Sequence, residues 1–218
     1  MGTITRSLSN NITTGGVILP AGITNDSVSA VTSFANASGG TLILLSTQTA
    51  SNSSSISFTS GLDSTYEEYI FKFINIKPVT ANGIYFNMST DSGSNYNVTK
   101  TTTFFYAGHN EADSNTFLNY EGALDMAQGT GFTYISDQIG DASDKNGCGT
   151  LTLFNPSSTT YVKHFIATTN VLAGNDSSIN SFVAGYGNTT SAVNAVRFQM
   201  VSGNISDGII KMYGVKKS

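Results

Sequence analysis

The sequence predicts an all-β protein: an antiparallel, jelly-roll-like β-sandwich preceded by an extended N-terminal arm. Three observations predict it. Short stretches of apolar residues in two-residue alternation recur roughly ten to fifteen residues apart, with almost no helical periodicity between them. The intervening segments are rich in Gly, Asn and Ser, the residues of turns. Finally, 39% of the 218 residues are hydrophobic, including 13 Phe and 10 Tyr, which is enough apolar area to offset the entropy of ordering although only 11% are charged.

Residues 1–40 read as an arm and 41–218 as the sandwich domain. The arm lacks aromatics except Phe34. Its apolar residues fall in small clusters, Val17, Ile18 and Leu19 before Pro20 and then Val28, Val31 and Phe34. Such clusters bury too little to fix a backbone alone, so they are expected to dock on a partner or on the domain itself. A short helix is expected from about Ser27, with Asn25 or Asp26 as its cap.

From Thr41 the pattern turns to strands. Leu42 to Leu45 is a short apolar strand, and Ile56 to Thr59 follows a Ser/Asn-rich turn. Between Tyr69 and Ile74, Tyr69, Phe71 and Phe73 share one face while Ile70, Lys72 and Ile74 share the other; apolar residues on both sides place this strand in the middle of a sheet. The next strand alternates Ile84, Phe86 and Met88 with Tyr85, Asn87 and Ser89, and Asp91-Ser-Gly-Ser supplies its turn. Further strands are read at Val98 to Tyr106, Phe132 to Ser136, Gly149 to Phe154, Tyr161 to Thr168, Ser181 to Tyr186, Val193 to Val201 and Ile209 to Val215. Leu118 to Gly131 fits no strand pattern well, and GALDMAQ reads as a helical turn. Edge strands with few charges leave the sheets open to pairing with another chain, which assembly would protect.

A net charge of −4 without clustered Lys and Arg argues against a nucleic-acid partner. No stretch approaches the ~18 apolar residues of a membrane-spanning helix, and the N-terminus shows no secretory core, so assembly in a cytoplasm is expected. Cys148, the single cysteine, is expected to be a small buried residue. Hydrolysis by a serine or cysteine nucleophile lacks its G-x-S-x-G elbow. Of the two histidines, His164 lies on a strand face with Val162 and Ile166, as a packed or edge residue, and His109 sits beside Glu111 and Asp113 in a polar loop whose spacing matches no specific metal site. No cofactor or metal is expected. Tyrosines beside Asn and Asp in loops are the materials of sugar recognition, which gives a second reading: a glycan-binding module using Tyr96, Tyr106, Tyr120, Tyr134 and Tyr186.

The wording SISFTSGLDSTYEEYIFKFINIKP, then STDSGSNYN, then DGIIKMYGVKK resembles β-sandwich virion proteins of tailed, especially marine, bacteriophages. Ser57, Phe58, Gly61, Asp63, Tyr66, Tyr69, Phe71, Phe73, Asp91, Gly93, Tyr96, Gly208, Tyr213 and Gly214 carry the resemblance, which spans Leu42 to Ser218. ILPAGITNDSVSAVTSF is similar to connector segments ahead of phage fibre and decoration domains. The resemblance implies a non-enzymatic structural component located in the virion, a capsid decoration or tail-fibre part. Its expected partners are other virion subunits and further copies of itself, a homotrimer being the usual form on a symmetry axis. No catalytic residue is implied. In the second reading the partner is a host surface glycan.

Overall fold

A computed structural model describes residues 41–216. The arm, with the helix expected near Ser27 and the docking residues Val17, Ile18, Leu19, Val28, Val31 and Phe34, lies outside the described residues. Within them the chain is all-β: β1 (Leu42–Ser53), β2 (Ile56–Phe58), β3 (Glu68–Pro78), β4 (Asn82–Ser89), β5 (Lys100–Asn110), β6 (Thr116–Tyr120), β7 (Met126–Gly129), β8 (Thr133–Ile139), β9 (Gly147–Phe154), β10 (Lys163–Leu172), β11 (Ser177–Gly187), β12 (Ala195–Met200) and β13 (Ile205–Val215).

These strands form two antiparallel sheets. One has nine strands in the order β1-β13-β3-β9-β10-β11-β5-β6, with β7 also paired to β5; the other has four, β2-β12-β4-β8. Setting aside β5–β7 and β10–β11 leaves β1-β13-β3-β9 facing β2-β12-β4-β8. That pair of orders is the eight-stranded, double Greek-key plan of a jelly roll. The five additional strands all extend the same sheet, so the sandwich is lopsided by sequence design.

The period-two pattern decides what is inside. Tyr69, Phe71 and Phe73 of β3 are buried, while Ile70, Lys72 and Ile74 are only half-buried on the other side. As expected, β3 is an interior strand, between β13 and β9. Phe198 of β12 sits at the centre of the core. Its ring lies 5.2 Å from Phe71, 5.0 Å from Phe73, 5.5 Å from Phe86 and 6.3 Å from Phe58, centroid to centroid, joining β3 of the large sheet to β2 and β4 of the small one.

Three expectations are corrected. The Ser/Asn-rich stretch after Leu45 is strand, because β1 continues to Ser53 along β13 after a bulge between Leu44 and Ser46. GALDMAQ is not helical: a turn at 122–124 leads into β7, whose Met126 pairs with Thr102. Cys148 is exposed, since Leu151 and Leu153 take the inward positions of β9 and the alternation sends Cys148 outward, where Asn75 N–H points at its sulfur from 3.3 Å. The Asp91 turn forms as expected: its carboxylate accepts hydrogen bonds from Ser89 Oγ (2.6 Å) and the Asn95 amide (2.8 Å), which hold its pKa down to about 2.

Candidate functional site

The strands that a jelly roll does not require are the ones with an unusual outer face. Their register lines up three rows across the large sheet. Tyr120 stands opposite Phe105, and Phe105 opposite Phe182, with these two rings stacked at 5.0 Å and 12°. The next row is Thr103, Ala184, Ile166, and the last is Thr101, Tyr186, His164, the tyrosine and histidine rings lying 5.9 Å apart. Between the last two rows lies a shallow groove of about 400 Å³, lined by Thr101, Thr103, His164, Ile166, Ala184 and Tyr186. Ile166 is 53% exposed and Tyr120 58%, far more than large apolar side chains need be beside a full core.

The groove lining contains no carboxylate, thiol or amine. It can stack a flat or apolar surface on Tyr186 and offer the hydroxyls of Thr101 and Thr103 and the imidazole of His164 as hydrogen-bonding groups.

The five tyrosines singled out from the sequence separate into two groups. Tyr186 and Tyr120 lie on this face, two rows apart. Tyr106 is half-buried against Phe104 (6.0 Å) and Phe117 (5.4 Å). Tyr134 packs on Tyr85 (4.6 Å), and its burial pushes the phenol pKa up. Tyr96 lies under the Arg197 guanidinium at 4.1 Å, its hydroxyl buried. His164 points outward, because Lys163 and Phe165 take the inward positions of β10. His109, expected in a loop, is instead near the end of β5, paired with Ser178 and Thr116; its Nε2 is 3.0 Å from Asp113 Oδ1 in the turn that follows, and among the described residues no three His, Cys, Asp or Glu side chains are grouped to hold a metal.

Residues that carried the resemblance prove to hold local structure. Tyr69 Oη donates to the Asp63 carbonyl at 3.0 Å and accepts the Asp63 N–H at 3.0 Å, while Asp63 Oδ1 accepts Thr65 N–H at 2.8 Å. Burial, with the neighbouring Asp63 charge, raises the Tyr69 pKa. Gly214 leaves room for the Tyr66 ring, with which a Cβ there would overlap.

Sequence reasoning passed over three buried lysines. Lys145 Nζ donates to the carbonyls of Ala173 (3.0 Å) and Gly174 (2.8 Å) and pairs with Asp176 at 2.6 Å, tying the β10–β11 turn to the segment before β9. Lys163, fully buried, donates to Tyr161 O at 2.6 Å and Thr189 O at 3.2 Å. Lys100, also fully buried, donates to Asn87 Oδ1 at 2.6 Å and Val98 O at 2.8 Å. The signal was present: Lys100, Thr102 and Phe104 share one side of β5, and Phe104 is core. No family model matches this sequence, and no curated protein does.

Proposed function

We propose that this chain is a non-enzymatic structural protein of a bacteriophage virion, a capsid decoration or fibre-type component anchored by residues 1–40. The observation that carries the proposal is the outer face of the strands added to the jelly roll, where large apolar side chains stand exposed and the strands themselves present no Lys, Arg, Asp or Glu. Tyr120, Phe105, Phe182 and Ile166 form a contact surface, and the lining of the groove beside them holds no carboxylate, thiol or amine. The resemblance in sequence to phage virion proteins points the same way. Among the described residues β1 ends the large sheet on its other side, and it presents twelve residues without one charge, LILLSTQTASNS. Such an edge invites pairing with another subunit.

In this reading the arm fastens the chain to the particle and the sandwich makes contacts with neighbouring subunits, copies of itself included. Deleting residues 1–35 should leave a folded, soluble domain that no longer enters particles; retained incorporation, scored by immunoblot of purified particles, would remove the anchoring role.

The groove favours a second reading, host-glycan binding. Tyr186 would supply the stacking surface and Thr101, Thr103 and His164 the hydrogen bonds. On a glycan array, saturable binding lost at least tenfold in Tyr186→Ala would replace the first reading; an array without binding would leave the contact surface to protein partners.

A further inference from the structure

Asn87 on β4 and Lys100 on β5 belong to different sheets, and both are 0% exposed. The surrounding hydrogen bonds fix how the amide is turned. Its Nδ2 faces three carbonyls, those of Tyr96 (2.6 Å), Thr130 (3.1 Å) and Gly131 (3.2 Å), while Oδ1 accepts the Met88 N–H at 2.8 Å and the Lys100 amine at 2.6 Å. Flipping it would set donors against donors and oxygen against oxygen. Because a carbonyl bond is about 1.2 Å long, Lys100 Nζ lies no farther than about 3.8 Å from Asn87 Cγ, close to near-attack distance.

Asn87 does not need this lysine, since the Met88 N–H and the three carbonyls already give both ends of the amide partners. Held, among the described residues, only by Asn87 Oδ1 and by Val98 O at 2.8 Å, an ammonium here has neutral acceptors and no counter-charge, which is costly in a buried place. Among the described residues no carboxylate is hydrogen-bonded to Lys100, and burial pushes its pKa down to about 7, so the nucleophilic free amine is well populated at neutral pH.

We propose that Lys100 and Asn87 join in an intramolecular isopeptide bond that links the two sheets. Nζ attacks Cγ, and the carbonyl electron pair moves onto Oδ1, where the Met88 N–H meets the developing negative charge. A proton passes from the attacking nitrogen to Nδ2, the oxygen's electron pair restores the carbonyl, and the Cγ–Nδ2 bond breaks. The new amide forms as ammonia leaves. Atoms and electrons balance without any oxidant or co-reactant, and enclosure of the pair supplies the proximity and orientation. The link would close the segment 87–100, fastening the Asp91 turn and Tyr96 to the sandwich in a chain whose single cysteine forms no disulfide.

The test is the intact mass of the full-length chain under denaturing conditions, followed by tandem sequencing of its peptides, after prolonged incubation at mildly alkaline pH. The expected result is a chain lighter by one ammonia, with the peptides containing Asn87 and Lys100 recovered as one branched species. Lys100→Met must show neither. An unchanged mass in the natural sequence overturns the proposal, and so does an ammonia loss that persists in Lys100→Met, which would mark a succinimide at an asparagine instead.

Discussion

Phe198→Ala is expected to lower the stability of the sandwich by about 3–5 kcal/mol, the range for deleting a fully buried aromatic ring. The upper half of that range is expected here. Phe198 touches Phe58, Phe71, Phe73 and Phe86, which belong to three strands in both sheets, so no single side chain can relax into the space it leaves. Chemical denaturation of the domain measures it. Tyr213→Ala, on the half-buried outer side of β13, should cost much less, and equal losses in the two variants would mean that the ring cluster is not the centre of the fold.

Gly208→Ala is expected to cost about 3 kcal/mol or more, from backbone strain and overpacking together. Gly208 has φ +129°, a region that L residues avoid, and an added Cβ would stand 2.8 Å from Asn75 O and 2.8 Å from Ile76 Cα. Both atoms are backbone and cannot swing aside. The site is a paired irregularity: β13 shifts register against β3 between Asp207 and Ile209, and Asn75 on the facing strand has φ +52°. Gly203→Ala separates the two causes. Gly203 has φ +71° with nothing within 4 Å of its Cβ position, so only the conformational penalty applies and the loss should be about 1 kcal/mol. Equal losses at Gly203 and Gly208 in a denaturant titration would dismiss the contact term.

Much of the fold was legible because a sandwich buries one side of each strand, and that alternation is written residue by residue. β3 with Tyr69, Phe71 and Phe73, and β13 with Ile210 and Met212 against Ile209, Lys211 and Tyr213, show it clearly. β6 and β7 were missed for a physical reason. They lie along β5 at the sheet's margin, and Leu118, Tyr120, Ala127 and Gln128 are exposed, so no inward set of residues marks them as strands. The continuation of β1 past Leu45 was hidden likewise, because Thr47, Gln48 and Thr49 at an edge need no apolar partner. The exposed apolar face was only partly legible. Tyr120 and Tyr186 stood out by type, but Phe105, Phe182 and Ile166 join them only through the register of β6, β5, β11 and β10, and pairings between residues far apart in sequence, such as Thr103 and Ala184 at a separation of 81, are not encoded in any local pattern.

The buried lysines show the opposite failure, in which residue type misled. Lysine suggests solvent, yet Lys100, Lys145 and Lys163 each end on backbone carbonyls in places where loops must be held to strands. In a chain with few charges these interior lysines tie loops to strands, and Lys100 is the one placed beside an amide carbon.

Virion membership, the role proposed for this chain, is tested most directly on phage particles purified from the source of the sequence. Quantitative peptide mass spectrometry combined with an electron cryo-microscopy reconstruction should find the sandwich in symmetry-related copies, with neighbouring protein against the face built from Tyr120, Phe105, Phe182 and Ile166. Particles that are infectious and complete yet contain no copy of the chain would contradict it.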